Sequence, residues 1–399
     1  MSVEEKFCHY VSFDTQSNPE SSSVPSSMNQ WELARELEKE CKKIGFDTVE
    51  LAASGVVYAT LHANCEGMPS IGLCSHMDTA SELSGAHVKP RKIHHYDGSI
   101  IVLNEQYSLD PKEFPVLNTC IGNDLIVTDG TTLLGADDKA GIAIIMQAME
   151  ELIASNKEHG KICVAFTPDE EVGRGVENFD LSKFDVDFGY TVDGDRIDSV
   201  DYETFNACQA MIHIHGKSIH PGSAKGKMIN AIRIGMELAS HLPQDEIPEL
   251  TDGREGFYHL LEAKGECEEA ELSYILRHHD LSAFEKQKET IKKICDDLNK
   301  KYGQGTVCLT LKDQYYNMIN YMHGDFTSVS RAKKAIEDCG LHAVSEPIRG
   351  GTDGAMLTQK GCICPNLGTG SYNHHGRYEF ANVQQMETMV KIVSKILEK

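Results

Sequence analysis

No two of the chain's 13 cysteines, scattered from Cys8 to Cys364, stand in a C-x-x-C pair. An odd number of cysteines without that spacing is neither a disulfide framework nor a thiolate zinc site, and reads as reduced thiols in a reducing compartment. No N-x-S/T sequon occurs, and no apolar run approaches the roughly 20 residues of a membrane-spanning helix. The opening "MSVEEKFCHYVSFDTQ" lacks a basic n-region and an apolar h-region, so it does not read as a secretory signal. The expected compartment is cytoplasmic.

Basic residues are also scarce. Thirty-eight Lys and Arg stand against 61 Asp and Glu, a net charge of −23. That balance argues against nucleic acid or an anionic membrane as a partner, because both need a basic face, and it is compatible with a cationic or zwitterionic small substrate. Low-complexity sequence is confined to "PESSSVPSS" (Pro19–Ser27), and there is no internal repeat, P-loop or dinucleotide fingerprint.

What is present is alternation. "VVYATLHA", "SIGLCSH", "KICVAFT" and "FGYTVDG" read as strands, interleaved with helical patterns such as "NQWELARELEKECKKIG" and "DKAGIAIIMQAMEELIAS". That order predicts an α/β fold with a mostly parallel sheet. A chain of 399 residues is long enough for two domains. From about Asn206 the texture changes to the order β-α-β-β-α-β, the ferredoxin-like split unit, and after about Met318 the α/β texture resumes. The expected organisation is a discontinuous catalytic domain, residues 1–205 and 319–399, carrying an inserted ferredoxin-like α+β lid domain at 206–318.

In open α/β sheets the site lies at the carboxyl ends of the strands. Those ends carry His76 and Asp78 in "HMD", Glu170 and Glu171 in "PDEE", Asp193 in "TVDG", and His374 and His375 in "YNHHG". Asp137 and Asp138 in "ADDKAG" sit at a loop-to-helix junction. Any one of these alone reads as a helix cap, a turn former or a surface residue. Together, histidines and carboxylates without cysteine suit Zn²⁺, Co²⁺ or Mn²⁺. More than four candidate ligands point to two ions about 3.5–4 Å apart, which need a bridging carboxylate. On an extended strand, neighbouring side chains face opposite ways. One of Glu170 and Glu171 is therefore expected on a metal and the other beside it as general base. Asp78, two residues past His76, is placed to orient a ligand.

The stretches "SHMDT", "TTLLGADDKAGIA", "VAFTPDEEVGRG", "YTVDGD", "HPGSAKGKMINA", "EGFYHL", "PIRGGTDGA" and "YNHHGRYEF" resemble the co-catalytic zinc peptidase family that also holds acylases and carboxypeptidases. The resemblance runs from "FCHYVSFDTQS" to the last helix, and "HPGSAKG", "EGFYHL" and "IRGGTDGA" narrow it to the tripeptide aminopeptidase branch. It implies two Zn²⁺ ions per subunit, with Co²⁺ or Mn²⁺ as substitutes, held by His76, Asp137, Glu171, Asp193 and His375. Asp137 would bridge, Glu170 would be the catalytic base and Asp78 would orient the cluster. Substrate contacts are implied for His220, Asn230 and Arg277 of the lid and for Arg349 of the catalytic domain. The implied substrate is a short peptide losing its N-terminal residue, and the implied assembly is a homodimer. A deacylase or dipeptidase is the alternative within the family, and a non-catalytic binding module is the alternative outside it. Two residues depart from the family's pattern: His374 beside His375, and Asp195 after "TVDG".

Overall fold

The computed structural model describes residues 1–399, which form two compact units. The first comprises Met1–Tyr202, Tyr321–Glu346 and Thr352–Lys399, and the second Glu203–Asn320 with Pro347–Gly351.

The first unit is built on a seven-stranded sheet in the order Thr48–Leu51, Val57–Leu61, Ile162–Thr167, Ile71–His76, Phe188–Gly194, Asn366–Gly368 and Val200–Asp201. The four strands from Ile162–Thr167 to Asn366–Gly368 run parallel, and the outer strands pair antiparallel. Parallel pairing therefore belongs to the centre of the sheet, where both faces are covered. Every residue of Ile71–His76 and Ile162–Thr167 is buried accordingly. The helix Ala136–Ser155 lies within the same core, its Ile142, Ile144, Ile145, Met146 and Met149 fully buried. A smaller sheet in the order Ser371–Tyr372, Phe380–Asn382, Leu125–Val127 and Arg91–Ile93 holds the segment carrying His374 and His375 beside the chain that enters this helix.

The approach of that helix to the sheet depends on one glycine. A Cβ at Gly141 would collide with the Val192 carbonyl oxygen, immediately before Asp193. Gly141→Ala is expected to overpack this contact and destabilise the protein by about 1–3 kcal/mol. Calorimetry reads the effect as a lowered Tm, and an unchanged Tm would refute the close approach.

The second unit is a four-stranded antiparallel sheet in the order Phe257–Gly265, Glu269–His278, Asn206–His215 and Val307–Tyr315, with helices Ala231–His241 and Leu281–Tyr302. Its own core includes Ile212, Ile214, Ile234, Leu272, Phe284 and Ile291. In chain order this is β-α-β-β-α-β, the ferredoxin-like arrangement. Arg349 differs from its expected place in the catalytic domain. The Pro347–Gly351 segment groups with the second unit, because the Ile348 N–H donates to the Glu203 carbonyl and the Phe205 N–H to that of Gly350. No helix is long and apolar enough to cross a membrane, and all the cysteines are free.

Candidate metal centre

The carboxyl ends of the parallel strands converge on one cluster in the first unit. Strand Ile71–His76 ends on His76, whose Nδ1 lies 3.0 Å from the Asp78 carbonyl oxygen. A carbonyl only accepts, so Nδ1 carries a proton, which leaves Nε2 as the nitrogen that a metal would take in place of its own proton. Nε2 faces Asp137 Oδ1 at 2.8 Å and Asp193 Oδ1 at 3.4 Å. The Asp78 carboxylate, itself fully buried, accepts from the Glu170 N–H at 2.9 Å and the Glu171 N–H at 3.1 Å. One residue thus fixes both the histidine and the turn carrying the glutamates.

That turn differs from the extended strand expected for it. Strand Ile162–Thr167 stops before Pro168, Asp169 takes a left-handed φ of 63°, and Glu170–Val172 form a 3-10 turn. The three consecutive acids separate for this reason. Asp169 points away from the cluster and accepts from the Ser26 N–H and Gln30 Nε2, each at 2.7 Å. Glu171 Oε2 lies 3.1 Å from His375 Nε2, while its Oε1 is buried with no hydrogen-bond partner.

Asp137 and Asp138 open the helix Ala136–Ser155 with non-helical backbone angles, and the peptide bond between them is cis. Their side chains diverge. Asp138 is spent inside the fold, accepting from the N–H groups of His76 and Gly141, both at 3.2 Å. Asp137 presents Oδ1 to His76 Nε2 and Oδ2 to His375 Nε2, the latter at 3.2 Å. One oxygen of Asp137 thus faces each histidine, so the carboxylate is placed to serve an ion at either side.

Two groups of potential ligand atoms result, each with its members within 4.8 Å of one another: His76, Asp137 and Asp193, and Asp137, Glu171 and His375. Asp137 belongs to both. Burial and neighbouring carboxylates push Glu170 and Asp193 above the usual carboxylate range, and Glu171 up to about 11. Burial also opposes the charge of Asp137, but His374, His375 and His76 together hold it well below that range. So many acids around one ionised carboxylate need protons or cations, and the unpartnered Glu171 oxygen points to cations. The donor set fits a dinuclear centre.

Glu170 belongs to neither group, yet it senses the charges of His76 and Asp193. His374 is also outside both. Its Nε2 is 2.8 Å from Ser371 Oγ, and its Nδ1 is 3.4 Å from Asp195 Oδ1 and 3.6 Å from Asp137 Oδ2. Asp195 is 60% exposed beside it.

The four expected substrate residues lie in the second unit and have partners there. Asn230 caps the helix Ala231–His241, its side chain accepting from the Arg233 N–H at 3.1 Å, and exposed His220 accepts from the Gly222 N–H at 3.1 Å. Arg277 donates to the Leu276 carbonyl at 3.0 Å and stacks over Tyr315. Arg349 donates to the carbonyls of Gly253 and Glu255, both at 3.0 Å, and stacks over Phe205 and Phe257.

Two buried acids near the cluster were not singled out from sequence. Asp353, in "IRGGTDGA", accepts from Thr167 Oγ1 at 2.6 Å, and burial pushes it up to about 7. Glu379, in "YNHHGRYEF", accepts from the N–H groups of Leu134, Gly135 and Asp137. Neither has a local signature, because their partners are remote in sequence.

Comparison with known proteins gives a consistent relationship. Residues 202–305 match the peptidase dimerisation domain. In fold the chain is similar to the aminopeptidase PepT from Bacillus cereus, with a TM-score of 0.79 at 23% identity, covering 99% of this chain and 97% of that one. It is also similar to a dinuclear metal-binding peptidase of the M20 family from Bacillus subtilis, with a TM-score of 0.68 at 13% identity, covering 99% and 96%. In sequence it is 49% identical over 400 aligned positions to peptidase T of Clostridium novyi, covering 99% of this chain and 98% of that protein. An identity of that level along almost the whole of both chains means that the protein belongs to the peptidase T family.

Proposed function

We propose that the protein is a tripeptide aminopeptidase that hydrolyses the first peptide bond of short peptides at a two-zinc centre. The observation that carries this reading is the pair of three-ligand groups sharing Asp137, with an unassigned glutamate, Glu170, next to them. Its support in sequence is the 49% identity to a peptidase T along nearly the full chain.

His76, Asp137 and Asp193 would hold one ion, and Asp137, Glu171 and His375 the other. When bound, the ions supply Lewis acidity and lower the pKa of water toward neutrality. Everything else falls to the protein. Glu170 takes the proton of the attacking water and returns it to the departing amine, a role suited to a carboxylate whose pKa burial raises. Asp78 holds Glu170 and Glu171 in fixed relation to His76 through their backbone N–H groups. The family pattern gives His220, Asn230, Arg277 and Arg349 the substrate, since a guanidinium fork suits a peptide carboxylate or a developing oxyanion. The match to a peptidase dimerisation domain supports a homodimer, and the free cysteines support a reducing cytoplasmic setting.

The test is a product assay on metal-replete protein with a free tripeptide, the matching dipeptide and the N-acetylated tripeptide. Release of the first residue from the free tripeptide alone, abolished by a chelator, is the expected result. Cleavage of the acetylated peptide or the dipeptide in its place would move the protein to a deacylase or dipeptidase activity.

A further inference from the structure

The buried carboxylate of Glu379 is an unusual expenditure. Glu379 is 1% exposed, and a carboxylate out of water is costly unless it is well compensated. Burial opposes its charge, the neighbouring His374 favours it, and the direct hydrogen bonds it accepts come from peptide N–H groups. Oε2 accepts from Leu134 N at 2.7 Å and Gly135 N at 2.8 Å, and Oε1 accepts from Asp137 N at 3.0 Å. Charge-assisted bonds of this length are about twice as strong as neutral ones.

Their placement is informative. The helix Ala136–Ser155 begins after Gly135, which has a left-handed φ of 79° and no side chain with which to cap it. Glu379 supplies that cap from a distant part of the chain. It also immediately precedes strand Phe380–Asn382, whose Phe380 pairs with Val127, so it stands at the point where two loops meet. One loop delivers His375 and the other Asp137. Both residues belong to the same ligand group, with Glu171. The side chain of Asp137 follows its backbone, and a backbone N–H fixed at 3.0 Å leaves that carboxylate little freedom.

We propose that Glu379 is a positioning residue for the dinuclear centre: by clamping the backbone of Leu134, Gly135 and Asp137 to the segment that carries His375, it fixes the bridging carboxylate relative to the opposing histidine. It touches neither substrate nor ion and acts through Asp137. The inference rests on the two-metal reading given above. Groups that orient metal ligands are typically worth about 10–100-fold in metal affinity or activity.

The test compares the wild-type protein with Glu379→Gln, which keeps the length but places an amide donor against backbone donors, and Glu379→Asp, which keeps the charge but is one methylene shorter. Metal-free proteins are titrated with Zn²⁺ against a chromophoric chelator, well below their unfolding temperatures. Two equivalents are expected to bind wild type, and both variants are expected to bind them roughly 10–100-fold more weakly while retaining a native near-ultraviolet circular dichroism spectrum. A cap that only stabilised the fold would lower Tm and leave these affinities alone. Should a metal-free variant fail to fold, the rate at which chelator strips Zn²⁺ from metal-replete protein is measured instead, and it is expected to rise at least tenfold. Wild type binding two ions with variant affinities, or stripping rates, within twofold of it would overturn the role of Glu379 alone. Wild type binding no metal would overturn the two-metal reading and this inference with it.

Discussion

Replacing Glu170 by glutamine is expected to lower kcat for a free tripeptide by about 10²–10⁴-fold, with both metal ions still bound. The substitution keeps the volume and the backbone bond to Asp78, so the turn that presents Glu171 is preserved. What it removes is a carboxylate able to take a proton from water and hand it on. Glu170 is outside both ligand groups, so metal content should not follow activity. KM should change little, because the loss falls on the chemical step. Steady-state kinetics with metal analysis on the same samples separates the possibilities. Near-full turnover would remove Glu170 from the base role, and loss of metal would make it a ligand.

Asp137→Ala is expected to give the other large effect, through a different quantity. Asp137 is the only residue common to the two groups, so its removal takes a donor from both sites together. It also takes from His76 Nε2 its nearest carboxylate oxygen, at 2.8 Å, and leaves His375 Nε2 with Glu171 Oε2 at 3.1 Å but without Asp137 Oδ2 at 3.2 Å. Metal content should fall below two ions per chain. Metal-ion catalysis is worth several kcal/mol of transition-state stabilisation. At about 1.36 kcal/mol per factor of ten, the rate should drop roughly 10³-fold or more. Mass spectrometry under native conditions reads the ion count and the peptide assay reads the rate. Retention of two tightly held ions would show that Asp137 does not bridge. The contrast with Glu170→Gln matters: one substitution should lose rate with metal, the other rate without it.

How far the sequence reached follows from the range of the interactions involved. The α/β order and the ferredoxin-like insertion were legible because apolar periodicity is a local signal, and Ile71–His76 and Ile162–Thr167 are buried throughout. The gathering of His76, Glu171 and Asp193 was legible because parallel strands share one carboxyl edge, whereas Asp137 reaches them from a helix start and His375 from the smaller antiparallel sheet. The geometry of "PDEE" was not. A left-handed Asp169 turns the chain into a 3-10 turn, so the separation of Glu170 from Glu171 comes from that turn and not from strand alternation. Asp169 itself is held by Ser26 and Gln30, more than a hundred residues earlier in the chain, which no local pattern reveals. The same limit explains Arg349, whose segment joins the second unit through bonds to Glu203 and Phe205. It also explains Glu379 and Asp353, which look like ordinary acids until their partners Asp137 and Thr167 are placed beside them. Adjacent histidines posed a separate problem. His374 and His375 are equivalent by composition, and only the positive φ of 62° at His375 and the Ser371 bond of His374 send one ring toward Glu171 and the other away.

The most direct measurement is a titration of metal-free protein with Zn²⁺, following the release of the N-terminal residue from a free tripeptide at each addition. A shared Asp137 joining two ligand groups predicts that activity is absent without metal and rises to a plateau at two ions per chain. A plateau at one ion, or release of the N-terminal residue that does not depend on metal, would contradict it.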